Sequence, residues 1–185
     1  MKHYYQNIGE NWFSYPKLYA SMVDKYNDAV FVEVGSWKGR SSCYMGVEII
    51  NSGKNIKLYC VDTWNGDFGT DRSQRIIDNE LYLEFIKNIS PILKVVEPVR
   101  KDSLEAALSF SDESLDFVFI DATHNYECVK KDIAAWYPKV KKGGTLAGHD
   151  YSDSWPEVRR AVDEWCAMND LKITASESCW IHDKV

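Results

Sequence analysis

Positive charge is scarce in this chain: 22 Lys and Arg against 28 Asp and Glu leave a net charge of −6. With no general field for a polyphosphate, nucleic acid is not expected as a partner, a local basic patch aside. Long apolar runs are missing too. None approaches the ~20 residues needed to span a bilayer, so no membrane partner is expected. The N-terminus, MKHYYQNIGENWF, lacks the apolar centre of a secretory signal. Cys43, Cys60, Cys128, Cys166 and Cys179 are odd in number and contain no C-x-x-C pair, which points to a reduced, cytoplasmic setting. Repeats, low-complexity tracts and linkers are absent. So is the dinucleotide fingerprint G-x-G-x-x-G, which counts against a nicotinamide-dependent oxidoreductase.

The 185 residues suffice for one domain with a sizeable core, and 45% hydrophobic with 27% charged residues is ordinary for a globular protein. Short β-rich runs alternate with helix-periodic segments. This predicts an α/β fold: a Rossmann-like parallel sheet with helices on both faces. Strands are expected at 29–34, 56–61, 93–99, 115–120 and 144–148. Helices are expected near 10–26, 40–52, 73–89, 103–109, 125–139 and 155–168, with Lys141-Lys142-Gly143-Gly144 ending the fifth in a glycine turn. Residues 171–175 and 179–182 read as a C-terminal antiparallel hairpin. The single domain divides into an N-terminal helical cap (1–28), a cofactor-binding core (29–150) and the last helix with the hairpin (151–185).

The densest information lies in AVFVEVGSWKGRSS, residues 29–42. A buried strand stops at Glu33-x-Gly35-x-x-x-Gly39 and runs into a helix N-terminus, which is how α/β proteins build a nucleotide pocket. The spacing suits a nucleoside without phosphate. Polar residues recur at the other strand ends: Asp62, Asp102-Ser103, Asp121 and His149-Asp150. Ligands bind along that edge in open α/β sheets. Each acid alone reads equally well as a helix cap, but all of them on one rim are hard to explain as caps. Asp62 is placed to accept both hydroxyls of a ribose, and Asp102-Ser103 to read an adenine edge. Ser36 and Ser41 either bond a carboxylate at the helix N-terminus or cap the helix.

Glu33-x-Gly35-x-x-x-Gly39, Asp62, Asp102-Ser103, LDFVFIDA and GGTLAGHDY together resemble the class I S-adenosylmethionine-dependent methyltransferases. Within them the chain is similar to the metal-dependent small-molecule O-methyltransferases, including the macrolide-sugar branch called methyltransferase family 24. The resemblance implies S-adenosyl-L-methionine as cofactor, held by Glu33, Gly35, Ser36, Gly39, Ser41, Asp62, Thr63, Trp64, Asp102, Ser103 and Asp121. It implies a divalent metal, Mg²⁺ with Mn²⁺ as the alternative, on Asp121, His149 and Asp150. Family members commonly carry a carboxylate where His149 stands. Imidazole is a poorer Mg²⁺ ligand, so His149 either selects Mn²⁺, Fe²⁺ or Zn²⁺, acts from outside the ligand shell, or packs against substrate.

His124, three residues past Asp121, occupies the position of the family's base. With Asp121 it forms the expected catalytic pair, since imidazole titrates where a proton acceptor should. The alternative is that His124 merely starts a helix. Arg72 and Arg75 precede a segment that could form a lid over an anionic acceptor. The reaction expected is O-methylation of a hydroxyl on a sugar or other small polar molecule. The alternatives are a non-catalytic cofactor-binding protein or an N-methyltransferase; against the latter, Asp121-Ala-Thr-His stands where such enzymes carry Asp/Asn-Pro-Pro-aromatic. The short N-terminal wrapping leaves the acceptor side to a larger glycan, a small molecule, or closure by a second subunit in a homo-oligomer.

Overall fold

The computed structural model describes residues 1–66 and 79–185. The expected start of the third helix at 73, together with Arg72 and Arg75, lies outside the described residues.

Seven strands form one sheet in the order β3-β2-β1-β4-β5-β7-β6. They are β1 (Asp28–Val34), β2 (Asn55–Asp62), β3 (Val96–Arg100), β4 (Leu115–Ile120), β5 (Val140–Gly148), β6 (Thr174–Ser176) and β7 (Cys179–Asp183). The first five run parallel, while β7 is antiparallel to both β5 and β6. This is the expected α/β architecture with its C-terminal antiparallel hairpin. Strand order reverses between β1 and β4, and such a switch point opens a crevice beyond the strands' carboxyl ends.

Alternation along the central strands sends side chains to two separate cores. Phe31, Phe117 and Phe119 face α1 (Pro16–Lys25), α2 (Arg40–Ser52) and α3 (Glu80–Ile89), meeting Tyr19, Met45 and Phe85. Val32, Val34, Val118 and Ile120 face the other way, toward Val129, Ile133, Trp136 and Trp165. Those residues come from α5 (Tyr126–Trp136) and α6 (Pro156–Asn169), with the short α4 (Ser103–Ala107) beside them. Every β4 residue is buried, as befits a central parallel strand.

Several boundaries differ from expectation. The first helix starts at Pro16, not residue 10. A proline disfavours helical backbone in the residue before it and is itself favoured at the first helical position, so Tyr15 stays outside with φ −116°. Residues 93–95 are not strand, because a 3-10 turn at Ser90–Ile92 with Pro91 delays β3 to Val96. The two glycines are not a helix-ending turn. They lie inside β5, where Leu115 pairs with Val140 but Phe117 pairs with Thr145. Gly143 takes φ +77° in this bulge. Asp116, opposite it, accepts the Val30 amide at 2.8 Å and the Lys141 ammonium at 2.9 Å. The first hairpin strand begins later than expected, at Thr174, while the second begins at Cys179 as expected; the two turn through Glu177-Ser178, both at positive φ, a twist that suits a two-residue hairpin.

Candidate active site

The β1–α2 turn is built around Gly35. Its φ is +91°, and a β-carbon there would lie 2.0 Å from the carbonyl oxygen of Asp121. Only glycine fits. The contact ties the turn to the end of β4, where the Asp121 amide donates to Val34 at 2.8 Å. Gly39 caps α2 without a side-chain hydrogen bond, leaving the first-turn amides to another acceptor.

Glu33, 1% exposed, accepts from the hydroxyls of Tyr19 at 2.9 Å, Ser36 at 2.7 Å and Ser42. Burial raises its pKa, and the surrounding hydroxyls, Ser41 among them, offset this only in part. Asp62 accepts the Trp37 amide on one oxygen (2.9 Å) and the Trp64 amide on the other (2.7 Å). Burial raises its pKa against those backbone donors. Thr63 accepts the Asn65 amide at 3.2 Å. Trp64 is buried against Phe85, its indole donating to the Trp37 carbonyl at 2.8 Å. Lys101 donates its amide to Asp62, which brings Asp102 and Ser103 to the same rim. There Asp102 caps α4 through the Leu104 amide, while Ser103 bridges Asp132 (2.5 Å) and the Trp136 indole (2.9 Å).

Beyond β4 and β5, four titratable side chains converge. His124 Nε2 lies 2.7 Å from Asp150 Oδ2 and 3.7 Å from Asp121 Oδ1. His149 Nδ1 lies 3.3 Å from Asp150 Oδ1 and 3.8 Å from Asp121 Oδ1. Asp150 reaches in from a left-handed backbone conformation, φ +58°. Burial alone would depress both imidazoles, but the adjoining carboxylates of Asp121 and Asp150 win and raise each to about 9. The reciprocal effect holds both carboxylates below their usual range despite burial. Ligand atoms of Asp121, His124 and Asp150 all lie within 4.8 Å of one another. Anionic oxygens and imidazole nitrogens this close suit a divalent cation.

Sequence reasoning missed the residues that brace this cluster. The Tyr15 hydroxyl donates to Asp121 Oδ2 at 2.8 Å, Ser14 lies 3.0 Å from His149 Nε2, and the Trp155 ring sits 4.4 Å from that of His124. Pro16 was the available signal, since it holds Ser14 and Tyr15 out of the helix.

A switch-point crevice beside a glycine turn, with an acid at the end of β2 and this strand order, defines the class I S-adenosylmethionine-dependent methyltransferase fold. The chain belongs to a methyltransferase domain family, methyltransferase family 24, whose model matches residues 32–151. It is an S-adenosylmethionine-dependent enzyme. Among solved structures it is similar to the O-methyltransferase NovP, at 19% identity over 92% of this chain and 79% of that one, TM-score 0.72. CalS11, a TDP-rhamnose 3′-O-methyltransferase of calicheamicin biosynthesis, aligns at 14% identity over 91% of this chain and 76% of its own, TM-score 0.62. MycE, from the mycinamycin pathway and solved with Mg and S-adenosylhomocysteine, aligns at 14% identity over 91% of this chain and 48% of its own, TM-score 0.58. No curated protein matches the chain significantly. Among the described residues, no helix is long and apolar enough to cross a membrane.

Proposed function

We propose that this enzyme O-methylates a hydroxyl of a sugar or other small polar molecule with the help of a divalent cation. The observation that carries the reading is the convergence of Asp121, His124, His149 and Asp150 beside the Gly35 turn. NovP, an O-methyltransferase, CalS11, a TDP-rhamnose 3′-O-methyltransferase, and MycE, a methyltransferase solved with Mg, support it. The five cysteines are free, which accords with a reducing compartment such as the cytoplasm.

When bound, S-adenosylmethionine supplies an electrophilic methyl group and the cation supplies positive charge beside the acceptor oxygen. The Gly35–Gly39 turn and the amides of α2 would receive the methionine carboxylate, with Ser36 and Ser41 held nearby by Glu33. Asp62, oriented by the Trp37 and Trp64 amides on its two oxygens, would accept from the ribose hydroxyls. Thr63, Trp64, Asp102 and Ser103 border the adenine end. Asp121, His149 and Asp150 would hold the cation. His124, its Nε2–H held by Asp150 at 2.7 Å, would take the hydroxyl proton on its other ring nitrogen, Nδ1, and Asp150 would stabilise the resulting imidazolium. Trp155, 42% exposed, backs His124 and borders the acceptor.

The test is transfer of labelled methyl from S-adenosylmethionine to a panel of hydroxyl acceptors that includes nucleotide sugars. Transfer to oxygen, abolished by chelator and restored by a divalent cation, is expected. Transfer confined to nitrogen acceptors, or undiminished in chelator, refutes the reading.

A further inference from the structure

Two of the four side chains in the cluster are imidazoles, and one is held from both sides. His149 turns Nδ1 toward the two carboxylates, at 3.3 and 3.8 Å, while Nε2 lies 3.0 Å from the Ser14 hydroxyl. With the Nε2 proton shared with Ser14, loss of the Nδ1 proton leaves that lone pair aimed into the cluster. The ring is fixed as well, 4.8 Å from that of Tyr15. Asp121 is braced in the same way: Tyr15 occupies Oδ2 at 2.8 Å, and Oδ1 faces the cluster. Outer hydrogen bonds of this kind fix the tautomer and orientation of metal ligands.

Outer contacts separate the two histidines: Ser14 holds the far nitrogen of His149, whereas His124 has the Trp155 ring beside it. Neighbouring donors on an ion with bonds of ~2.1 Å stand ~3.0–3.4 Å apart in octahedral or tetrahedral geometry. The 3.3 Å from His149 to Asp150 falls in that span, and 3.8 Å to Asp121 is a small side-chain rotation beyond it. His124, at 2.7 Å from Asp150, is in direct ion-pair contact and keeps its proton-handling role. Assigning His149 to the ion and leaving His124 beside it gives a donor set of two carboxylates and one imidazole. Mg²⁺ demands oxygen donors, whereas imidazole raises affinity for the later first-row ions.

Resting on the reading that this cluster holds the enzyme's cation, we propose that His149 is an inner ligand through Nδ1, and that the ion is a nitrogen-accepting first-row transition dication instead of Mg²⁺. Ser14 serves as the positioning residue that sets the His149 tautomer.

Chelator-stripped protein titrated with Co²⁺, Zn²⁺ and Mg²⁺ by calorimetry, with the visible spectrum of Co²⁺ as a second readout, tests this without any acceptor. Later ions bind most mixed sites more tightly, so the deciding comparison is with His149→Asp, which exchanges nitrogen for oxygen. The Co²⁺/Mg²⁺ affinity ratio should fall by about tenfold or more in that variant, and the Co²⁺ bands should shift. Ser14→Ala, an exposed change, should weaken Co²⁺ binding about tenfold. Tight binding with the same ratio and spectrum in wild type and His149→Asp overturns the inference but spares the cation site. Failure of all three ions to bind overturns the cation reading, and this inference with it.

Discussion

Gly35→Ala should be among the most damaging single-methyl changes available to this protein. A β-carbon there would meet the Asp121 carbonyl oxygen at 2.0 Å, its carbon at 2.5 Å and the Ala122 α-carbon at 2.8 Å. All three are backbone atoms of the β4 exit, so no side-chain rotation relieves the clash. Forcing a non-glycine residue to φ +91° costs roughly 1–2 kcal/mol by itself. Displacing packed backbone adds about 1–3 kcal/mol. The variant should thus lose about 2–5 kcal/mol, a large part of a typical domain's total stability. Urea unfolding followed by circular dichroism measures this directly, as a lower midpoint at unchanged slope. The displaced backbone is that of Asp121, so cation affinity should fall in whatever fraction still folds. A loss below about 1 kcal/mol with wild-type cation affinity would refute the close approach of turn and strand.

His124→Ala should lower turnover by roughly 10²–10⁴ while sparing cofactor affinity, read by steady-state kinetics beside calorimetry; near-wild-type turnover would place the base elsewhere. His124 and His149, raised to about 9, both carry protons at pH 7, and the pairing that raises them is lost as pH climbs through 9. Cation binding at pH 7 should therefore release about one to two protons and tighten with rising pH, which calorimetry in buffers of different ionisation enthalpy detects; zero release contradicts the ion pairs. Burial raises Asp132 to about 6 despite the Ser103 hydroxyl, so its contribution is intact below the unfolded value near 4 and is lost as pH rises through 6. Asp132→Asn should gain on wild type by up to about 3 kcal/mol between pH 4 and pH 8 in chemical unfolding, whereas parallel pH profiles would refute the shift.

What was legible in the sequence, and what was not, divides by how far apart along the chain the deciding partners lie. The parallel strands and the rim of Asp62, Asp102, Asp121, His149 and Asp150 could be read because each sits at the end of its own apolar run. A parallel sheet then brings those ends to one edge without further information. The brace on the cluster could not be read this way. Ser14 meets His149 across 135 residues and Tyr15 meets Asp121 across 106, and nothing in SYPKL states which strand end it will cover. The double glycine failed for another reason: a turn and a bulge want the same residues, and Asp116 on the neighbouring strand, bonding Val30 and Lys141, accompanies the bulge. Trp64 shows the same ambiguity among aromatics, since stacking on a nucleoside and packing on Phe85 ask for the same ring. The packed position at 4.5 Å from Phe85 gives it the work of a wall behind Asp62. A wall so buried lets the Asp62 carboxylate keep its two amide bonds, so the proposed ribose end of the crevice is held by the fold itself, while the proposed acceptor end depends on a short, proline-terminated segment folded over Asp121 and His149.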